Sequence, residues 1–441
     1  MPGMRRAPLT CRRGDPYLPA VDTLSNISAH GSAPRDRSSE LDSPAAWRRL
    51  AVATVLGTVG SVGMWSVPVA LPAVQADFGV ARADASLPYT LAMVGFAFGG
   101  VLMGRLSDRR GVVVPLLCGA AALSLGFVAA GLAGTLVLFA LAHGLLIGIG
   151  ASASFGPLIA DTSQWFVRRR GIAVAIVSCG NYIAGAIWPP LLQHFISTQG
   201  WRATHIGVGI VCALTMLPLI WALRGRAPMH ENLSAGAAAV TSARGFGLSP
   251  NALQAVLCIA GLSCCVAMAM PQVHIVAYCG DLGYGVARGA EMLALMLGCG
   301  IVSRIASGFI ADRIGGVATL LLGSLLQGAA LFLYLLFDGL TSLYVISALF
   351  GLFQGGIVSM YAVIVREYFP PQEAGTRLGL VLMATLFGMA LGGWMSGVIF
   401  DLTGSYQAAF ANGLLWNLLN VAIALWLLMR PGRSGRRLAP A

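Results

Sequence analysis

The chain has 441 residues, of which 57% are hydrophobic and only 10% charged, and its mean hydropathy is +0.78. Soluble domains carry about 25% charged residues, so this composition excludes a water-soluble enzyme as the default reading. All 28 basic residues are arginine, which rules out a Schiff-base or P-loop lysine and with it P-loop ATP chemistry.

In chain order, residues 1–47 are rich in Arg, Ser, Pro and Asp, lack an apolar stretch of signal-peptide length, and read as a disordered tail. Long apolar runs follow at roughly 50–72, 86–106, 112–132, 136–160, 171–196, 203–223, 251–278, 289–311, 317–337, 341–365, 374–400 and 408–429. Each has about the 20 residues that cross about 30 Å of hydrocarbon as a helix. None alternates as a barrel strand would, so the expected fold is all-α with twelve transmembrane helices. A polar stretch at 225–250 divides them into bundles at 48–224 and 251–430, and residues 431–441 form a second tail.

Arginine placement sets the orientation. With the first tail inside, the inside segments hold 25 arginines and the outside connections only Arg82, Arg202 and Arg288. That bias follows the positive-inside rule, places both termini and the linker in the cytoplasm, and explains the net charge of +11 without nucleic acid. Eight of the nine cysteines lie in or beside apolar segments and none forms a Cys-x-x-Cys pair. They read as small hydrophobes, and the scattered histidines offer no metal-ligand spacing, so neither cofactor nor metal is expected.

The two halves carry related landmarks. Gly104-Arg105-Leu106-Ser107-Asp108-Arg109-Arg110-Gly111 follows helix 2, and Gly308-Phe309-Ile310-Ala311-Asp312-Arg313-Ile314-Gly315 follows helix 8, offset by 204 residues. Trp165-Phe166 and Tyr368-Phe369 repeat at an offset of 203. A six-helix unit used twice in one orientation gives this pattern. In each loop Gly permits close approach or positive φ, while Asp and Arg can pair or cap a neighbouring helix, so these are expected gating elements. The plainer reading is a solvated turn that fixes topology.

With these loops the chain resembles the major facilitator superfamily of secondary transporters over nearly all of its length beyond residue 48. The resemblance implies two six-helix bundles, a central cavity and alternating access by rocking, in a carrier that works as a monomer. Within that superfamily, Trp165-Phe166-Val167-Arg168-Arg169-Arg170-Gly171-Ile172-Ala173-Val174-Ala175-Ile176-Val177-Ser178-Cys179-Gly180 is similar to the signature of the monocarboxylate and oxalate/formate branches. Ala175 stands where those carriers usually have Gly, and Ser61-Val62-Gly63-Met64-Trp65 matches their helix 1 signature poorly.

Arg304 is the most informative residue. It precedes Asp312 by eight positions, about 12 Å below the helix end, where an arginine costs about 2.5–3.5 kcal/mol on insertion scales. At the repeat offset its counterpart is Gly100, so the fold does not require a charge there. A guanidinium can hold a carboxylate through two parallel hydrogen bonds. The alternative is an arginine satisfied by a buried acid or by backbone carbonyls, and no acid lies in any helix core. The pattern Gly300-x-x-x-Arg304-x-x-x-Gly308 resembles the monocarboxylate and oxalate carriers, which implies that Arg304 binds the substrate carboxylate. Gly300 stands where many of those carriers have an acid linked to proton coupling, and the chain lacks the second, lysine ligand of some relatives.

Secondary candidates follow from depth and chemistry. Asn181 and Tyr182 lie about 15 Å into helix 5 and could hydrogen-bond a substrate oxygen or a neighbouring helix. Gln354 and Tyr361 of helix 10 are further substrate candidates. His274, after Pro271 in helix 7, is a further secondary substrate candidate and could act as a gate; it and His143 in helix 4 could also carry a coupling proton or serve as hydrogen-bonded structural histidines. Trp65, Met292 and Met296 read as packing. The series Gly95-x-x-x-Gly99, Gly100-x-x-x-Gly104, Gly388-x-x-x-Gly392 and Gly393-x-x-x-Gly397 reads as close-packing helix faces.

The expected protein is a secondary transporter of the bacterial inner membrane that moves a small organic anion, a monocarboxylate, with protons as a candidate coupling ion. A drug or neutral-solute exporter of the same fold is the alternative, and a membrane-embedded enzyme or sensor a remote one.

Overall fold

The computed structural model describes residues 41–225 and 247–430. Residues 1–40 of the first tail, 226–246 of the linker and the last eleven residues lie outside the described residues. Among those described, twelve helices are long and apolar enough to span a membrane, and no strand occurs. The first bundle comprises α1 Pro44–Phe78, α2 Arg82–Arg110, α3 Val113–Gly131, α4 Leu136–Trp165, α5 Arg170–Gln199 and α6 Trp201–Ala222. The second comprises α7 Pro250–Asp281, α8 Val286–Ile314, α9 Gly316–Leu336, α10 Leu340–Tyr368, α11 Pro371–Thr403 and α12 Tyr406–Met429. An even number of spans puts Pro44 and Met429 on one face, here the terminal face; the other is the far face.

The helices outrun the apolar segments because polar caps set their ends. Ser43 accepts a hydrogen bond from the Ala46 N–H with Pro44 in the first turn, and Ser249 does the same for Ala252 with Pro250. At the other ends Gly79 and Gly404 take left-handed φ of 62° and 67°. With 32 residues, α7 is about 48 Å long, well beyond the hydrocarbon. Large apolar side chains such as Leu132, Leu214, Phe309 and Leu402 point outward, as a lipid-facing surface requires.

Apolar patterning does not foresee the interruptions inside four spans. α1 is interrupted at Ser61 and α5 at Cys179. α4 contains a π-helical turn over Ala142–Gly148 and breaks between Ser152 and Gly156; α10 breaks between Gln354 and Ile357. The α4 and α10 breaks are related by the repeat. Pro271 does not interrupt α7.

Within each bundle polar groups tie helices together, as they must where lipid offers no partners. In the first, Arg49 of α1 makes a paired 2.9 Å contact with both carboxylate oxygens of Asp161 on α4 and lies over the Trp165 ring. In the second, Asn420 donates to Ser324 Oγ at 2.7 Å, Asn417 to the Ser324 carbonyl at 3.0 Å, and Tyr361 to Asn420 at 3.2 Å. The bundles meet along α2 with α11, α5 with α8, and α1 with α7.

Candidate functional site

The far face is closed by side chains of both bundles. The backbone N–H groups of Arg82 and Ala83, at the start of α2, donate to Asp401 of α11 at 2.9 and 2.7 Å, so a carboxylate from the second bundle caps a helix of the first. The Arg82 guanidinium pairs with Asp281 at 2.9 Å, donates to the Tyr406 hydroxyl at 2.5 Å and lies over the Phe400 ring. Below it, α2 and α11 pack closely. Thr90 donates to the Ala390 carbonyl at 3.1 Å, and Cβ atoms added at Gly393 or Gly397 would lie 3.0 Å from Tyr89 or 2.8 Å from the Ala83 backbone. No charge-pattern argument from one segment finds this lock, because its members are 199 to 324 positions apart. The signal available was the arginine deviating from the inside bias at the start of a span.

The terminal half of the same interface is open. Asp108, Arg109, Asp312 and Arg313 are exposed, and none forms an ion pair or hydrogen bond among the described residues. Of the motif glycines, Gly111 and Gly315 have φ of +77° and +83° and end their helices, whereas Gly104 and Gly308 face open space. Gly100, Gly171, Gly375 and Gly379 likewise have nothing near them. The Gly100-x-x-x-Gly104 face therefore packs against nothing here, while Gly95, Gly99, Gly388 and Gly392 meet neighbouring backbone or side chains as a close-packing face does.

Arg304 lies between the bundles, where α8 meets α5 and the α10 break. Its Nη1 donates to the Ser178 carbonyl of α5 at 2.9 Å, its Nε reaches the Gly355 carbonyl at 3.5 Å, and its guanidinium carbon stands 4.6 Å from the centre of the Tyr182 ring. These carbonyls are the backbone partners that the sequence leaves as one alternative. No carboxylate pairs with the group among the described residues, and Nη2 has no hydrogen-bond partner there. The α10 break is seated on the same turn of α8. Ser303 Oγ accepts from the Gly356 N–H at 3.1 Å, and Cβ atoms at Gly355 or Gly356 would collide with Gly300 or Ser307. Ser303, Ser307 and the Gly355-Gly356 pair thus shape the site, and the Gly-Gly pair inside an apolar run was the available signal.

Gly300 has a steric role. A side chain there would overlap the Tyr182 ring, whose hydroxyl donates to the Gly355 carbonyl at 3.3 Å. The ring fills the space that an acid one turn before Arg304 would need.

The other candidates divide. Asn181 accepts from Trp65 Nε1 through its carbonyl at 3.2 Å and keeps its buried side-chain oxygen unpartnered next to Tyr182. Gln354, beside Gly355, accepts from Gln272 at 3.1 Å and leaves its buried amide nitrogen unpartnered. Tyr361 instead points into the second bundle's interior toward Asn420, and its substrate role is not part of the Arg304 cluster. His143 is buried in the first bundle, where its Nδ1 donates to the Phe139 carbonyl at 2.9 Å beside Phe127 and His205. His274 belongs to the far-face lock, since Tyr406 lies 3.2 Å from its Nδ1. Met292 and Met296 are buried core residues.

The Major Facilitator Superfamily profile matches residues 53–340 and 292–441. The chain belongs to the major facilitator superfamily. It is a membrane transporter, not an enzyme. It is 30% identical to monocarboxylate transporter 13 of Rattus norvegicus over 328 residues, covering 73% of this chain and 75% of that one. It is 27% identical to human monocarboxylate transporter 11 over 363 residues, covering 78% and 75%. A bacterial homologue of the human lysosomal transporter Spinster, solved inward-facing and occupied, superposes with a TM-score of 0.65 at 16% identity, covering 88% of this chain and 96% of that one. The nucleoside transporter NupG gives 0.66 at 14%, covering 87% and 99%. These solved structures carry the fold alone.

Proposed function

We propose that this transporter moves a small organic anion, a monocarboxylate, by alternating access, with Arg304 as the principal ligand. The observation that carries the reading is a guanidinium well inside a membrane-length helix, held by carbonyls of both bundles, with no carboxylate paired to it among the described residues. Carbonyl contacts orient it without neutralising it. A substrate carboxylate supplies the missing charge, and a charge-assisted pair is shorter and stronger than the neutral contacts it replaces. Tyr182, Asn181 and Gln354 are the secondary ligands: Tyr182 lies under the guanidinium, the free amide N–H of Gln354 can donate to a carboxylate, and the free Asn181 oxygen can accept from a substrate hydroxyl. The monocarboxylate transporters among the relatives support the cargo class.

The closed far face and the open terminal half describe one limb of the cycle. In the other, the Asp108–Arg109 and Asp312–Arg313 loops close the terminal side while Gly100, Gly104, Gly375 and Gly379 let α2 and α11 approach, and Gly171 and Gly308 do the same for α5 and α8. The arginine bias makes the terminal face cytoplasmic, in a plasma membrane that in a bacterium is the inner one.

Uptake of labelled short carboxylates into proteoliposomes tests the assignment. Arg304→Gln is expected to lower the uptake of every carried anion at least about tenfold, the loss of one charge-assisted hydrogen bond of roughly 1.5 kcal/mol. Unchanged uptake would remove Arg304 from the site. Transport of apolar cations that tolerates the substitution would favour the exporter alternative.

A further inference from the structure

We propose that His274 is the pH sensor of the far-face lock: protonation of its ring stabilises the conformation in which that face is open. The inference rests on the alternating-access reading and adds to it what opens one gate.

His274 Nε2 lies 2.8 Å from the Gly393 carbonyl, which can only accept, so Nε2 carries the hydrogen. The ring is fully buried, and in its neutral form Nδ1 is then a bare lone pair that takes the Tyr406 O–H at 3.2 Å. The Tyr406 oxygen in turn accepts from Arg82 Nη1 at 2.5 Å. Donation thus runs one way, from Arg82 through Tyr406 and His274 to Gly393. It joins the first bundle (Arg82) to α7, α11 and α12 of the second.

A second proton on the ring breaks this chain. Nδ1 becomes a donor and needs an acceptor, and its one oxygen partner among the described residues is the Tyr406 hydroxyl, already engaged by Arg82. The phenol must turn its hydrogen elsewhere, and two cations then share one oxygen. The charged groups acting on the ring are Arg82 of α2, Asp401 of α11 and Asp281 at the end of α7 itself. The two carboxylates are committed: Asp281 to Arg82, and Asp401 to the N–H groups of Arg82 and Ala83. Of the other charges at this end, Asp84 of α2 and Asp338 before α10 form no ion pair among the described residues, but neither is among the charges acting on the ring. Asp77 of α1 pairs with Arg202 of α6, and Glu291 of α8 pairs with Arg288 and accepts from Tyr344 of α10. While the lock is shut, both carboxylates that act on a protonated His274 are therefore committed elsewhere, and Arg82 is its neighbour. When the first bundle swings away, Arg82 leaves with it. Asp281 and the Tyr406 oxygen are freed, and both can stabilise the imidazolium. Proton binding and opening favour each other by the same factor, whichever comes first.

A pocket of about 430 Å³ on the far face, lined in part by Gln75, Arg82 and Asp281, brings solvent to the lock. Far-side pH can therefore reach the network once Arg82 moves.

The experiment measures the far-face separation without substrate. Spin labels are attached through ketone amino acids at positions 134 and 402, both exposed and on different bundles. Distance distributions are recorded by pulsed electron resonance in nanodiscs from pH 8 to pH 5. In the parent protein the long-distance fraction should grow as pH falls, the open-to-closed ratio changing by up to about tenfold per pH unit for one linked proton. His274→Gln, which cannot titrate, should give one distribution at every pH. Tyr406→Phe leaves the ring titratable but removes the shared oxygen, so its response should shrink; it decides the matter if His274→Gln fails to fold. A parent protein indifferent to pH, or a full response in either variant, overturns the proposal. Arg82→Gln separates this failure from that of the wider reading. If it opens the far face at every pH while the parent ignores pH, the lock stands and only the sensor falls. If it leaves the distance unchanged, the lock is not a gate and both fall.

Discussion

The two ends of the transporter hold arginine–carboxylate pairs to different purposes. At the far face Arg82 reaches across the bundle boundary to Asp281, with Asp401 capping its helix from the same side. Toward the terminal face the buried pair, Arg49 with Asp161, lies wholly inside the first bundle, while the loop charges Asp108, Arg109, Asp312 and Arg313 form no ion pair among the described residues. On the alternating access proposed above, a charge pair that joins the two bundles sets a conformational equilibrium. One inside a rigid body sets stability. An ion pair's role thus follows from what it joins more than from its geometry, which is near 2.9 Å in both.

The largest expected effect comes from confusing the two roles. Arg49→Leu leaves Asp161 buried and unpaired, so thermal denaturation in detergent should show a loss of about 3–5 kcal/mol, with the far-face distance unchanged. Arg82→Gln should do the reverse, moving the distance and barely moving the melting temperature. If both variants shifted the same observable, the contrast would collapse.

Glycine faces extend the comparison. Gly397→Val places new carbon against the Ala83 backbone and should hold the far face open, raising the labelling of a cysteine placed beneath Arg82 several-fold. Gly104→Val meets open space in this conformation. It should leave that labelling unchanged yet slow uptake by hindering closure of the terminal side. Equal labelling of both variants would break the assignment of closed and open halves.

Smaller effects sharpen it. Tyr361→Phe removes one buried hydrogen bond to Asn420 and should cost about 1 kcal/mol of stability with substrate affinity intact. A raised KM would return Tyr361 to the substrate site. At the terminal face, backbone N–H groups of Arg168, Val167 and Arg169 hold the Asp42 carboxyl below its ordinary range, with desolvation opposing. A lowered folded-state pKa means that this contribution is present above the unfolded value and is lost as pH falls through the folded one. Asp42→Asn should therefore quicken amide exchange at residues 167–169 at neutral pH and bring little further change under acid. An identical exchange rate in both proteins would show that the cap does not order the loop.

Much of the fold was legible because lipid imposes a simple rule: about 20 apolar residues per span, arginines on one side, and a duplicated loop. What escaped was set by single polar or small residues. Ser43 and Ser249 start helices in polar surroundings. Gly355 and Gly356 break α10 where the average hydropathy stays high. Arg304 was visible as a charge out of place, but its Ser178 and Gly355 partners are backbone carbonyls, which every residue has and no sequence pattern marks. Depth singles out Asn181, Tyr182 and Tyr361 alike, yet Tyr182 lies against Arg304 and Tyr361 against Asn420, because depth does not report which way a side chain of a helix points. The Arg82 lock joins residues from opposite halves of the chain and becomes visible only once the bundles are assembled.

The most direct measurement is calorimetric titration of purified transporter with a panel of short monocarboxylates, run in parallel on Arg304→Gln. Saturable binding by the parent protein of at least one carboxylate, weakened at least about tenfold in the variant while its uncharged amide analogue binds neither, is the predicted result. Equal affinities in the two proteins would contradict the account, as would preference for the amide.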